Sequence, residues 1–163
     1  GGLYPSKMEL LASLKKRFGN RFRLHGLTGW KRNLYFNVKY NFLGWISPLR
    51  FDEYVPLYKK TKIGINTQLG GKYLIGNYRM FDLHANGVMQ ISDGSEYLKD
   101  FFKVGEEIES YESEEELLDK IEYYLQNDAA REKIARAGYN RVMRDYTVGT
   151  LLKDEAELIK SKR

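Results

Sequence analysis

The apolar positions along the chain fall into short alternating blocks, some with helical spacing and some with the spacing of strands. Pro5-Ser6-Lys7-Met8-Glu9 opens a helix, with Ser6 as N-cap and Glu9 three residues on as its capping-box partner. Met8, Leu11 and Leu14 follow at helical spacing, and Gly19-Asn20 ends the segment. Phe22, Leu24 and Gly26 read as a short strand that leaves into a turn. The stretch 28–41 has no clean period and predicts a long loop or irregular insertion. Residues 42–46 predict a strand edge closed by Ser47-Pro48, and 52–61 a short helix with Tyr54, Val55 and Tyr58 on one side.

The second half is more regular. Residues 62–66 form an apolar strand, and a loop over 68–77 carries Gly70, Gly71 and Gly76. A helix over 78–86 is broken by Gly87, and 88–92 is the next strand. A helix over 95–102 and a strand near 107–111 follow. Ser113-Glu114-Glu115-Glu116 is a second capping box. It leads a helix with Leu117, Leu118, Ile121, Tyr124 and Leu125 inward. Asp128 starts a helix reaching about Asp145, with Ile134 and Val142 apolar. A last helix from Thr147 is apolar at Leu151, Leu152 and Leu158.

Strands alternating with helices predict an α/β fold, a Rossmann-like parallel sheet with helices on both faces, in one domain over 1–163. Such sheets bind ligands at the carboxyl ends of their strands. Function is therefore expected in the loops after Leu24, Ile46, Asn66 and Ser92.

Composition narrows the class. Of 163 residues, 42% are hydrophobic and 30% charged, which argues against a disordered chain. No apolar run approaches the roughly 20 residues of a membrane-spanning helix. The start of the chain does not read as a signal peptide, and its lack of an initiator Met is expected of a fragment. Cys is absent, which removes disulfides and thiolate metal sites and fits a reducing, cytoplasmic setting. Charge is uneven: through Lys62 there are 13 Lys and Arg against 3 Asp and Glu, and beyond it 14 against 19. The basic half suits an anion: a nucleotide diphosphate, a membrane surface or a nucleic acid.

The best candidate for chemistry runs from Ile63 to Asp93. A strand ends at Asn66, a Gly-containing loop follows, and a helix starts near Tyr78. Free amides at a helix start favour an anion. Arg79 sits in the first turn, where a cation opposes the helix dipole and a bound phosphate would reconcile it. Asp82, three residues on, shares its face and can accept hydrogen bonds from both hydroxyls of a ribose. The plain alternative is an Arg79–Asp82 surface pair. His84 is a donor contact or a packed core residue, and Ser92-Asp93 meets a sugar or caps the next helix. With two His and no Cys, zinc is not expected. No Gly-x-Ser-x-Gly elbow supports hydrolase chemistry.

These residues resemble a known family. Residues 58–66, Tyr-Lys-Lys-Thr-Lys-Ile-Gly-Ile-Asn, are similar to the Y-x-x-A-K-I-x-L-N segment of group-1 glycosyltransferases of the spore-maturation-protein-like branch. Residues 77–87, from Asn77 through Arg79, Phe81 and Asp82 to Gly87, resemble its N-x-R-x-F-E-x-x-A-x-G motif. Phe101, Gly105, Glu107, Ile108, Tyr111 and Ser113 resemble a further stretch, and Arg131, Ile134-Ala135 and Gly138 match R-x-x-I-A-x-x-G.

The resemblance implies the C-terminal, donor-binding half of a GT-B enzyme, lacking its first strand and the N-terminal acceptor domain. The implied partner is a nucleotide-diphosphate sugar. In this likeness Asp82 binds the ribose, and Arg79 with the amides near Gly76 and Asn77 holds the diphosphate. Gly26 and Trp30 match a G-x-G-W-like turn, and Ser47 lies near the base. No catalytic residue is assigned, and neither a cofactor nor a metal is expected, as no Asp-x-Asp pair occurs. Asp82 stands where the motif usually has Glu, Asn86 where Cys is common, and Leu74 where many retaining relatives carry a second Glu. Two readings stay open beside glycosyl transfer. One is a non-catalytic Rossmann-like module. The other is a basic nucleic-acid-binding domain with Trp30, Tyr35, Phe36 and Tyr40 as stacking residues, although no nucleic acid is expected.

Overall fold

A computed structural model of the chain describes residues 5–26, 28–42, 44–67, 78–94, 96 and 98–161. Its contacts fall into two compact units, Gly1–Tyr54 and Val55–Arg163.

The first unit holds helix α1 (Pro5–Phe18) and helix α2 (Trp30–Tyr40). Proline at the first helical position suits α1, since it needs no amide donor there. The side chain of Ser6, and with it the expected cap, lies outside the described residues. Met8, Leu11, Leu14 and Phe18 of α1 are buried, as the spacing required.

The structure corrects the expectation of a loop over 28–41: α2 is a regular helix, closed by Asn41 in the left-handed conformation at φ 48°. The period is hidden in the sequence because Asn33 and Phe36 face inward while Trp30, Leu34 and Val38 face out.

The two expected strands at 22–26 and 42–46 reduce to a single parallel bridge, His25 with Ser47. Two asparagines of α2 hold the other edge of the 44–46 segment, since the Ser47 carbonyl is the one that faces Gly26. The side chain of buried Asn33 donates to the Ile46 carbonyl at 3.0 Å and accepts from the Ile46 amide at 2.9 Å. Asn37 does the same one step back, donating to the Gly44 carbonyl at 2.7 Å and accepting from its amide at 3.1 Å. Side-chain amides thus occupy backbone groups that a neighbouring strand would otherwise take.

The second unit contains a three-stranded parallel sheet in the order β1 (Ile63–Asn66), β2 (Met89–Asp93), β3 (Glu109–Tyr111). Helices α3 (Tyr54–Lys59), α4 (Tyr78–Ala85), α5 (Leu98–Phe101), α6 (Glu114–Gln126), α7 (Asp128–Asp145) and α8 (Val148–Ser161) complete the order. Register pairs Gly64 with Gln90 and Asn66 with Ser92, so these four share one face. That face carries α4: a Cβ on Gly64 would stand 2.8 Å from the Leu83 methyls, so glycine lets the helix approach the strand. Glu109, in register with Ile91, points to the opposite side. It accepts from Tyr124 at 2.7 Å and Lys120 at 2.9 Å, both on α6. The parallel α/β architecture expected from the alternation is therefore present.

Between the helices lies a core of Met80, Leu98, Phe102, Ile108 and Val142, with Phe81, Phe101 and Tyr146 packed against it. Half of the second capping box forms as expected: Ser113 accepts from the Glu116 amide at 3.1 Å. The Glu116 carboxylate reaches back to the Glu112 amide at 2.8 Å, one residue before the cap. Leu117, Ile121 and Tyr124 are buried on the inward face. On α8, by contrast, Leu151 and Leu152 are exposed.

Candidate functional site

The carboxyl ends of the three strands lie side by side at Asn66, Asp93 and Tyr111, since Asn66 pairs with Ser92 and Asp93 with Tyr111. Ligand sites in open parallel sheets form beyond these ends. Asn66 and Ser92 are fully buried. The Ser92 hydroxyl donates to Asp93 at 3.3 Å. Burial raises the Tyr111 phenol above its ordinary range, and the Asp93 carboxylate adds to the rise. Asp93 is thus set between Ser92 and Tyr111 at the rim.

After the segment 68–77 the chain enters α4, whose two sides differ sharply. Met80, Leu83 and His84 are buried, while Arg79 and Asp82 are exposed on the other side, three residues apart. Among the described residues neither Arg79 nor Asp82 has an ion-pair partner. The alternative of an Arg79–Asp82 surface pair is therefore not what the structure shows.

The helix is fixed at its far end by a Schellman turn. The Gly87 amide donates to the His84 carbonyl at 2.9 Å and the Val88 amide to the Leu83 carbonyl at 3.0 Å. Gly87 at φ 71° supplies the left-handed residue that this turn requires. The chain then passes directly into β2, so α4 is tied to the sheet at this end and the direction of its outward face is set.

His84 is a core residue. It is fully buried, its ring lies 4.7 Å from that of Phe102, and neither nitrogen has a hydrogen-bond partner. Burial lowers its pKa to about 4, so the ring is neutral near pH 7. It takes no part in an open site.

The residues assigned from sequence divide between the two units. Gly26, Trp30 and Ser47 belong to the first. There the Gly26 amide donates to the Ser47 carbonyl at 3.0 Å, and Trp30 opens α2 with its ring exposed. Asn66, Arg79 and Asp82 belong to the second. Gly76 and Asn77 lie outside the described residues. The R-x-x-I-A-x-x-G match is structural: buried Arg131 donates to the Tyr124 carbonyl at 2.8 Å and pairs with Asp128, while Ile134 and Gly138 face inward. Phe36, offered as a base-stacking residue, is buried, which weakens that reading. Sequence reasoning missed Asp93 and Tyr111 as neighbours, because their adjacency comes from strand register rather than spacing.

The fold is a Rossmann-like parallel sheet with helices around it. A family model described as glycosyl transferase-like matches residues 7–154. The chain belongs to this glycosyl transferase-like family.

Two solved structures share its fold. Sucrose-phosphate synthase from Thermosynechococcus elongatus superposes with a TM-score of 0.73 at 13% identity, over 94% of this chain and 41% of that one. The C-terminal domain of a group 1 family glycosyl transferase from Francisella tularensis gives 0.61 at 14% identity, over 87% of this chain and 78% of that one. The chain thus spans about two-fifths of the length of the synthase. No curated protein matches it in sequence. Among the described residues no helix is long and apolar enough to cross a membrane.

Proposed function

We propose that the second unit binds the nucleotide-diphosphate sugar of a glycosyl transfer reaction, with α4 as the recognition element. The observation that carries this reading is that Arg79 and Asp82 are both exposed on one side of a helix whose other side is buried. Arg79 offers the leaving diphosphate bidentate hydrogen bonds, and the free amides of the first turn add to them. Stabilising that charge as the sugar departs is the domain's contribution to catalysis. Asp82 accepts from the ribose hydroxyls. Asn66, buried at the end of β1, is the substrate-binding candidate from that strand end.

The finer resemblance, to the spore-maturation-protein-like branch, rests on the motifs around Lys62, Arg79 and Gly105. The acceptor and any general base would be supplied from outside 1–163, so the chain alone should bind donor without transferring sugar.

The test is a thermal-shift titration of the chain with UDP, GDP, ADP, dTDP and their sugars. A ligand that binds only the folded state raises the melting temperature by mass action. A shift confined to one base supports the reading and names the nucleotide. No shift with any of them, or measurable turnover by the chain alone, counts against it.

A further inference from the structure

The outer face of α2 carries three large apolar side chains at helical spacing. Trp30, Leu34 and Val38 are 63%, 55% and 78% exposed. They cannot roll inward, because Asn33 and Phe36 already anchor the opposite side, Asn33 through its two bonds to Ile46. Around the helix on one side of the stripe follow Lys31, Tyr35, Lys39 and then Arg32, and no Asp or Glu occurs in α2. The Lys31 ammonium sits 5.6 Å from the Trp30 ring centroid, and that of Lys39 5.4 Å from Tyr35. Among the described residues no carboxylate pairs with Lys31, Arg32 or Lys39. Residues 1–54 hold ten Lys and Arg against three Asp and Glu.

We infer that α2 is an interfacial helix that docks on an anionic lipid surface, with Trp30, Leu34 and Val38 entering the headgroup layer and Lys31, Arg32 and Lys39 meeting lipid phosphates. An apolar strip bordered by basic side chains is what such helices present. Tryptophan suits this depth, having an apolar body and a polar N–H. A protein interface core is depleted in Lys, whereas here Lys31 directly adjoins Val38 around the helix, with Lys39 beyond it on the same side. Nucleic acid is the poorer match, because bases stack on rings and two of the three strip residues, Leu34 and Val38, are aliphatic. This docking is independent of the donor site on α4.

The test is co-sedimentation of the full chain with vesicles of phosphatidylcholine alone and of phosphatidylcholine mixed with phosphatidylglycerol. Binding to the mixed vesicles only, weakened by salt, is expected. Lys31→Ala should weaken it about five-fold. A Leu34→Glu, Val38→Glu double variant, altered only at exposed positions, should lose it with an unchanged far-ultraviolet circular dichroism spectrum. With Trp45→Phe, Trp30 is the one tryptophan left of two, and its emission should shift to the blue on the mixed vesicles. No binding to the mixed vesicles, or binding that survives the double variant, overturns the proposal. So does self-association of the chain that the double variant abolishes, which would make the stripe a contact between copies.

Discussion

Gly138 of α7 stands against His84 of α4 with no room for a side chain. A Cβ at position 138 would lie 2.6 Å from His84 Cε1 and 2.6 Å from the Glu107 carbonyl oxygen. This close approach fixes how α4 lies on the sheet, and with it the direction in which Arg79 and Asp82 face. Gly138→Ala should therefore destabilise the chain. Alanine gains about 1 kcal/mol of helix propensity, but overpacking costs about 1–3 kcal/mol. A backbone carbonyl cannot step aside as a side chain can, so the clash should win. Urea unfolding of the variant reads the balance, and an unchanged or raised midpoint would contradict it.

His84 makes stability depend on pH in a defined direction. Its folded pKa is lowered to about 4 from 6.5. Below 6.5 the unfolded chain takes up a proton that the folded chain refuses, so stability falls as pH drops and levels off under about 4. The full effect is about 3 kcal/mol, since a tenfold change in proton affinity is worth about 1.36 kcal/mol. His84→Leu, which fills the same apolar space, should show a shallower decline between pH 7 and pH 4 by that difference. Parallel curves for the two proteins would show that His84 is not the group responsible.

The pairing of Asn33 with Ile46 predicts a large effect from a small change. Asn33→Ala strands the amide and carbonyl of a buried residue, which costs about 2–4 kcal/mol when two such groups are left unmet. Asn37→Ala should cost less, since its bonds to Gly44 are only partly buried. The order of the two midpoints in denaturant checks this.

Donor binding should not need a divalent cation. The chain has no Asp-x-Asp pair to bridge a metal to a diphosphate, and Arg79 offers positive charge in its place. Affinity for the nucleotide that binds is expected to be the same in EDTA and in excess magnesium. A ten-fold or greater loss in EDTA would speak against this use of Arg79.

The helices of the second unit were largely legible in the sequence. The Ser113 cap, the inward Leu117, Ile121 and Tyr124, and the stop at Gly87 are local signals, and local signals are what periodicity reports. The first unit was less so. There α2 turns its most apolar side chains to solvent, which erases the usual meaning of the pattern. The segments around Leu24 and Ile46 have strand-like composition, yet they meet only at His25 and Ser47, and Asn33 and Asn37 bond the edge of 44–46 away from that bridge, which no spacing rule exposes. At the site, the motif drew attention to Arg79 and Asp82, which the structure leaves exposed on one side of α4. That His84 in the same motif is buried, and that Asp93 meets Tyr111, follow only from packing and register.

The central claim is that Asp82 reads the ribose while Arg79 holds the diphosphate. Isothermal titration of the chain, Asp82→Ala and Arg79→Ala with a nucleoside diphosphate and its 2′-deoxy form tests it most directly. Hydrogen bonds to a charged group contribute about 1.5–3 kcal/mol, on the order of ten- to a hundred-fold in affinity. The account predicts that the chain prefers the ribose form, that Asp82→Ala erases the preference, and that Arg79→Ala weakens both ligands about ten-fold while keeping it. Affinity and preference that pass unchanged through Asp82→Ala would contradict it.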